Sequence, residues 1–365
     1  MLIENLLDEK LLLQHVADKR IAEQKNRWWG NIKIYSYGRK VQYDPTLWDE
    51  TTELCRGLIV NWDNGEVLAR PFRKFFNLET GYRPETHLRN IPASEPEVTK
   101  KMDGSLGILW RYDNDVFIST RGSFGSEQSR WATKFFKDHC KDVFPAGWTP
   151  LFEIIYPENR IVVKYEREEM VLLAMVNIET GEEMRHADLS QWAEKAGCPV
   201  VQLFNGKSIE SLRSENIPNE EGYVLTWHRE SASPLKLKVK FAEYQYIHKL
   251  VTGLSIKQIW ELLRTGISVE MEYNNLPDHF KQWADAHMAR IRGKYNELVA
   301  TADSIWNKRP DTQDRKELAL YFTQFEYPIP SVCFARLDGK DESDAIWKAC
   351  RPNPEDAFAT AVVEV

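Results

Sequence analysis

The sequence predicts an α+β protein in which an antiparallel, β-rich first part precedes an α-helical second part. Two observations support this class. Short apolar or alternating segments bounded by turn residues dominate residues 31–245, and long segments with helical spacing follow. The spacing of apolar residues changes from a strand pattern to a helical pattern near residues 245–255. We therefore predict two domains, residues 1–248 and residues 249–365.

Turn and cap residues place the elements of the first part. Residues 57–72 form a predicted hairpin around Asp63-Asn64-Gly65, because Asn-Gly supplies the positive φ of a tight turn. A second hairpin turns at Asp113-Asn114-Asp115. The remaining predicted strands are 151–157, 160–165, 170–178, 222–227 and 235–240. The predicted helices are 4–24, 127–140 and a short one from an Asp188 cap to Gly197.

The second part is predicted to be helical throughout. Its three long helical patterns cover residues 256–266, 278–308 and 312–325, and the first of them ends at a glycine. Scattered cations on these helices could hold an RNA stem by its phosphates, or they could simply be the solvated face of the helices. Both interpretations stay open from the sequence.

Composition and charge exclude several classes of protein. The net charge of −7 argues against bulk binding of a polyanion, so any functional charge has to be concentrated locally. The sequence contains no run of about 18 apolar residues, so no membrane span is predicted. The five cysteines are far apart and form no CxxC pair, which favours reduced thiols and a cytoplasmic location over a zinc site.

One short motif stands out chemically. Lys101-Met102-Asp103-Gly104 lies between a predicted strand and a predicted hairpin, where Gly104 permits close backbone approach. A lysine beside other cations has a lowered pKa and can act as a nucleophile. Taken alone the motif is equally compatible with a turn that carries one exposed lysine.

Four further segments place a charge inside an otherwise apolar strand. They contain Arg56, Glu153, Glu221 and the pair Lys238 and Lys240. The lysines of the last strand recur with a period of two and therefore share one face. This face is either a solvated edge that blocks aggregation or a clamp for phosphate groups.

These segments, in this order, resemble the motifs of the covalent nucleotidyltransferases, which include ATP-dependent ligases and RNA-capping enzymes. The segments read KMDG, LFE, EEGYV and KVK. The sequence is most similar to the RNA ligase 1 family of T-even phages, over roughly residues 30–250. This resemblance implies an ATP-grasp-like ligase fold and an ATP-dependent RNA ligase. Such an enzyme joins an RNA 3′-hydroxyl to a 5′-phosphate through lysyl-AMP and adenylylated RNA.

The resemblance also implies roles for individual residues. Lys101 would be the nucleophile. Glu153 would lie near the ribose and Glu221 would organise the metal ion, and both carboxylates would contact the metal through water. Lys238 and Lys240 would contact the triphosphate. The remaining residues implied in ATP binding are Arg56, Lys74, Phe76 and Arg121. The family often has lysine where Arg121 stands, so a planar guanidinium replaces a point charge there.

The same resemblance implies ATP and Mg²⁺, with Mn²⁺ as a substitute, and RNA ends as substrates, plausibly those of cleaved tRNA. We expect the protein to bind no membrane and to need no obligate protein partner. The alternatives are a DNA ligase or capping enzyme and a non-catalytic RNA-binding protein on a ligase fold. The first normally adds an OB barrel, which needs short alternating strands that the second part lacks.

Overall fold

The computed structural model describes residues 1–81, 83–253, 255–266 and 278–352. The chain divides into two compact units, the first spanning Met1–Tyr246 and the second beginning at Ile247. The roles that the sequence analysis assigns to the two parts stay predictions. No helix in the described ranges is long and apolar enough to cross a membrane.

The first unit contains thirteen strands among its described residues, numbered in chain order. They are β1 (Ile21–Lys25), β2 (Ile32–Tyr37), β3 (Arg56–Asn61), β4 (Glu66–Ala69), β5 (Phe76–Asn77), β6 (Glu97–Lys101), β7 (Ser105–Tyr112), β8 (Asp115–Ser119), β9 (Trp148–Ile155), β10 (Glu169–Asn177), β11 (Leu203–Phe204), β12 (Gly222–Arg229) and β13 (Ala232–Lys240). Its helices are α1 (Glu9–Ala17), α2 (Arg39–Tyr43), α3 (Glu50–Leu54), α4 (Glu127–His139), α5 (His186–Ala196) and α6 (Ile209–Ser214).

These strands form three sheets. The orders are β1-β2-β3-β4, then β10-β9-β7-β8, then β11-β6-β12-β13-β5. All the neighbouring pairs are antiparallel except β13 with β5, which is parallel. The predicted α+β class is therefore correct, with one parallel pair in an otherwise antiparallel unit.

Apolar side chains join the first two sheets. Ile32 and Ile59 from the first sheet share one buried cluster with Ile108 and Leu151 from the second. A further cluster packs α4 and α5 against the other part of the second sheet, through residues such as Phe136. Burial of large aliphatic and aromatic groups of this kind is the main stabilising contribution to such a core.

The helix α7 (Ala242–Gly253) crosses the boundary between the units. The second unit continues with α8 (Ile256–Thr265), α9 (Asp278–Asn307), α10 (Arg315–Phe322), α11 (Ile329–Leu337) and α12 (Ser343–Ala349). These helices have a buried cluster of their own, which includes Ile259, Phe322 and Val332. α8 ends where Gly266 adopts the left-handed conformation, as the sequence predicts.

Both predicted hairpins are present, but three other predictions are wrong. The helix predicted over 4–24 is shorter, because Asp8 caps α1 and the chain then turns at Lys19 into β1. Residues 160–165 form no strand, since the backbone N–H groups of Val162 and Val163 donate to a carboxylate instead. The cap of α5 is Arg185, and Asp188 lies within the first turn of that helix.

Candidate active site

Three adjacent strands bring the separate sequence motifs together. β12 lies between β6 and β13, and its first residue, Gly222, is opposite Lys101 on one side and Lys240 on the other. The residue just before Gly222 is Glu221, which is almost fully buried. Strand register alone therefore places the KMDG lysine, the EEGYV glutamate and the last lysine of KVK side by side.

Glu221 forms ion pairs with both lysines. Its Oε2 lies 2.6 Å from Lys101 Nζ, and its Oε1 lies 2.8 Å from Lys240 Nζ. Burial acts to raise the pKa of Glu221, but the two ammonium groups outweigh burial and lower the pKa below its usual value. Glu221 is therefore a charged carboxylate that holds two lysines in fixed positions.

The sequence predicts that neighbouring cations lower the pKa of Lys101, but in the structure its pKa is raised. Burial acts to lower the pKa of Lys101, but the negative charges of Glu221 and Glu153 act in the opposite direction and raise it overall. Glu221 contacts Lys101 directly, with its Oε2 at 2.6 Å from Lys101 Nζ, and Asp103 adds to the effect. In this structure Lys101 is an ammonium group in an ion pair.

Gly104 allows Glu153 to approach the KMDG turn. The Gly104 N–H donates to Glu153 Oε1 at 2.8 Å. A Cβ at position 104 would lie 2.5 Å from the Ile154 carbonyl oxygen and 3.1 Å from Glu153 Cγ. A larger residue would therefore displace β9. Burial raises the pKa of Glu153 to about 7, with Glu221 adding to this effect and Lys101 opposing it.

Asp103 stabilises the KMDG turn through hydrogen bonds that its carboxylate accepts. Its Oδ2 accepts from the backbone N–H groups of Val162 and Val163, both at 2.8 Å, and its Oδ1 accepts from the Tyr244 hydroxyl at 2.7 Å. These partners satisfy a side chain that is only 3% exposed. The aspartate of KMDG thus fixes the turn that carries Lys101.

Four further cations surround a second region of the site. We call Arg56, Lys74, Arg121 and Lys238 the cation cluster. Within the part of the chain that the structure describes, no carboxylate lies in ion-pair distance of any of them. Arg56 Nη1 and Arg121 Nε are buried nitrogen atoms with no hydrogen-bond partner. Buried donors without acceptors are costly, so this arrangement indicates a site for an anion.

Burial and like charge act together on Lys238. Burial lowers its pKa well below the usual value, and the charges of Lys74, Lys101 and Arg56 lower it further. The Lys238 ammonium lies 4.6 Å from the ring centroid of Phe75. A bound polyphosphate would relieve this repulsion.

Aromatic rings form the wall of the cation cluster beside Lys74. Its ammonium lies 5.2, 5.3 and 5.4 Å from the ring centroids of Tyr37, Trp48 and Phe76. The Arg121 guanidinium lies 4.5 Å from the Tyr37 ring. Burial acts to raise the pKa of Tyr37, but the nearby cations outweigh burial and lower it to about 7. Cation–π contacts of this kind hold Lys74 and Arg121 beside the rings.

The third lysine of the β13 face lies outside the cluster. Lys236 pairs with Glu183 and lines a cavity of about 270 Å³ that Arg73 and Ser233 also line. Its charge is therefore already neutralised. The phosphate clamp of Lys238 and Lys240 stays a prediction.

Comparison with known proteins identifies the family. A family model described as RNA ligase matches residues 54–246, just over half of the chain. The chain belongs to the RNA ligase family. This matched range includes every residue that the resemblance implicates in ATP binding or catalysis, from Arg56 to Lys240. The individual roles of these residues stay predictions.

Relatives of the RNA ligase family are similar over different lengths. A presumed RNA ligase from Thermovibrio ammonificans is 30% identical over 235 residues, which cover 61% of this chain and 59% of that protein. An RNA ligase of Rhodothermus phage RM378 is 22% identical, with 87% of each chain covered. The chain thus spans less than two thirds of the first of these relatives. Among solved structures, an archaeal ATP-dependent RNA ligase has a TM-score of 0.47 and 14% identity, covering 93% of this chain and 98% of that one.

Two site residues of this RNA ligase family member were not predicted from the sequence. Trp48 lies in an irregular segment between turn residues, and nothing local distinguishes it from a core tryptophan. Tyr244 follows β13 in helical spacing, so only the folded chain reveals its bond to Asp103. Tyr37 ends β2, and the sequence alone does not distinguish a half-buried strand residue from a nucleotide contact at this position.

Proposed function

We propose that this chain is an ATP-dependent RNA ligase that joins an RNA 3′-hydroxyl to a 5′-phosphate. One observation carries the proposal: a half-buried lysine, Lys101, lies in one site with a cluster of cations that have no carboxylate in ion-pair distance among the described residues. A nucleophile beside an anion site is what transfer of a nucleotidyl group from ATP requires. The family match and the names of the relatives support this activity.

The chemistry of the first step follows from the proposed roles. The ammonium group of Lys101 first loses a proton to a neighbouring carboxylate. The neutral Nζ then forms a bond to the α-phosphorus of ATP, the bond to the pyrophosphate oxygen breaks, and the second nitrogen proton leaves to solvent. Negative charge grows on the α-phosphoryl group and on the leaving group, so catalysis rests on cations placed in advance. The cation cluster and Lys240 supply them. Glu221 forms an ion pair with Lys101, the last residue of β6, and so fixes the position of this lysine.

We propose Mg²⁺ as the metal, with Mn²⁺ as a substitute. Among the described residues, no group of three His, Cys, Asp or Glu side chains could hold a metal ion. Mg²⁺ usually keeps several waters and binds through one or two carboxylates together with substrate phosphates. Glu153 and Glu221 fit this mode, because they lie beside the cations that would hold the phosphates. The metal would neutralise charge on the phosphates.

We further propose that the RNA ends come from repair, plausibly of cleaved tRNA, and that the second unit selects structured RNA. The second unit has its own helical core, which supports a separate role. The five cysteines are all free thiols, which supports the cytoplasmic location that the sequence predicts. The chain is not expected to need an obligate protein partner.

The experiment that tests the proposed function is incubation with α-labelled ATP and Mg²⁺ followed by a denaturing gel. A label that survives denaturation and is released by acid indicates a phosphoramidate on lysine. Lys101→Ala serves as the matched control and should carry no label. Failure of the wild-type protein to label would favour the non-catalytic RNA-binding alternative. Labelling with sealing of nicked DNA but not of RNA would favour the DNA ligase alternative.

A further inference from the structure

A basic surface begins directly after Tyr37, the aromatic residue between Lys74 and Arg121. It is formed by Lys19, Arg20, Arg39, Lys40 and Tyr43, and we call it the α2 surface. Lys19 and Arg20 precede β1, and the other three belong to α2. This surface belongs to no motif of the sequence analysis.

Positive charge is concentrated in this part of the chain. Residues 19–43 contain seven Lys and Arg side chains and one acidic residue, Glu23, although the whole chain has a net charge of −7. Within the described ranges, Lys33 is the one cation of this segment that forms an ion pair, with Glu23 at 3.0 Å. Asp44 follows this segment and interacts electrostatically with Arg20 and Lys40, but it forms no ion pair with either of them among the described contacts. One carboxylate against four cations leaves the α2 surface with a net positive field.

Strand pairing holds the α2 surface beside the cation cluster. Ile21 is opposite Tyr37 in the β1–β2 register, and the Gly38 N–H donates to the Arg20 carbonyl oxygen at 2.7 Å. Arg39 follows Tyr37 by two residues, so their Cα atoms are at most about 7 Å apart. An RNA strand that leaves the reacting centre past Tyr37 would meet these cations first.

Two side chains of the α2 surface have groups that a ligand could contact. Arg20 Nε is a buried nitrogen without a hydrogen-bond partner, although the rest of the side chain is half-buried. The Tyr43 side chain is 75% exposed, whereas Val41 on the same short helix is fully buried and anchors it. An anion would satisfy Arg20, and a nucleobase would cover the Tyr43 ring.

We propose that the α2 surface binds a single-stranded segment of the RNA substrate next to the ends that are joined. The cations would contact backbone phosphates, and Tyr43 would stack on a base, which is the usual combination in single-strand recognition. The assignment of RNA as the ligand rests on the proposed function. The geometry and charge of the surface are independent of it.

The test measures equilibrium binding of a fluorescent, 5′-phosphorylated single-stranded RNA by anisotropy, with lysyl-AMP formation followed in parallel. The variants are Arg39→Ala/Lys40→Ala and Tyr43→Ala, with Tyr43→Phe retaining the ring. The matched control is Lys25→Ala/Arg27→Ala, which removes the same charge at the far end of the same hairpin. Thermal unfolding of each variant checks that the fold is intact.

We expect the affinity for RNA to fall about tenfold in the double variant and in Tyr43→Ala. Tyr43→Phe should bind like the wild type, and the control should change much less. The salt dependence of log K should weaken by about 1.4 in the double variant, since single strands give about 0.7 per phosphate contact. Lysyl-AMP formation should persist in both variants.

Unchanged affinity in both variants, or an equal loss in the control, would overturn the proposal. So would a loss that Tyr43→Phe shares with Tyr43→Ala. Absence of lysyl-AMP in the wild type would instead overturn the proposed function, because the anisotropy measurement does not depend on catalysis. The two failures are therefore distinguishable in one set of samples.

Discussion

Lys238 and Lys240 lie on the same face of β13 but have opposite electrostatic surroundings. Lys240 forms an ion pair with Glu221 at 2.8 Å, whereas the pKa of Lys238 is lowered by burial and by the neighbouring cations. One lysine is already neutralised by the protein, and the other awaits an anion. This difference gives the two lysines different weights in stability and in ATP binding.

The first prediction concerns stability without substrate. Lys238→Met should raise the free energy of unfolding by about 1 kcal/mol, because it removes a half-buried amine whose charged form other cations repel. Lys240→Met should lower it, because Glu221 loses one of its two partners. Thermal unfolding without ATP measures both changes. A lower unfolding temperature for Lys238→Met would contradict the electrostatic account of the cluster.

The second prediction separates the steps of ligation. Lys238→Ala should reduce ATP-dependent joining by about a hundredfold, because it removes a charge that stabilises the leaving group. Lys240→Ala should reduce it less, because Glu221 already pairs with Lys240. Sealing of pre-adenylylated RNA without ATP should fall much less. The two assays are run on the same RNA pair. Equal losses in both would indicate that β13 has a general structural role.

The third prediction concerns the nucleophile. Lys101→Ala should abolish lysyl-AMP formation with α-labelled ATP. Lys101→Arg should also fail, because a guanidinium stays protonated. Both variants should still unfold cooperatively in calorimetry, and Lys101→Ala should unfold at a lower temperature than the wild type because Glu221 loses one of its two partners. Full labelling of the alanine variant would show that another residue carries the AMP.

The fourth prediction concerns the segment that supports Trp48. Asp49 caps α3, accepts from the Thr52 N–H at 2.8 Å and pairs with His15 at 2.7 Å. Burial acts to raise the pKa of Asp49, but these partners lower it overall. The charge of Asp49 therefore stabilises the fold above the usual pKa of 3.8, and this contribution is lost as the pH falls through the lower folded value.

Asp49→Ala should cost about 1 kcal/mol of stability at neutral pH, the usual value of a helix cap. The difference from the wild type should shrink as the pH falls below 3.8. Asp49→Asn, which keeps an acceptor, should cost less at neutral pH. Chemical unfolding at several pH values measures these differences. A cost that does not depend on pH would exclude a contribution of the charge.

The fifth prediction concerns the second unit. A chain that ends after α7 should keep lysyl-AMP formation, since the matched family range ends at residue 246. It should lose preference for a nicked tRNA stem-loop over an unstructured oligonucleotide, if the second unit holds an RNA stem. Kinetics on the two RNAs decide this. An unchanged preference would remove the recognition role of the second unit.

The sequence predicts those parts of the fold that depend on neighbours in the chain. Turn residues such as Asn64-Gly65 and the alternation in β12 and β13 determine their own local conformation. The strand predicted at 160–165 fails because a distant carboxylate, that of Asp103, takes its backbone donors. Tertiary contacts of this kind are outside the reach of any local pattern.

The candidate site shows the same division. Charges in apolar strands single out Lys101, Glu221 and Lys240, and the strand register then brings them together. The sequence does not predict which charges pair. The ion pair of Lys101 with Glu221 joins residues 120 positions apart, and it reverses the expected direction of the lysine pKa.

The placement of β12 between β6 and β13 has a consequence for the order in which the protein is made. Lys101 leaves the ribosome long before Glu221 and Lys240, and until those residues follow it β6 has no neighbour on the β12 side. A nascent chain therefore carries the lysine without the site. If the proposed function holds, reactivity toward ATP begins only once synthesis has passed residue 240 and the last strands have joined the sheet.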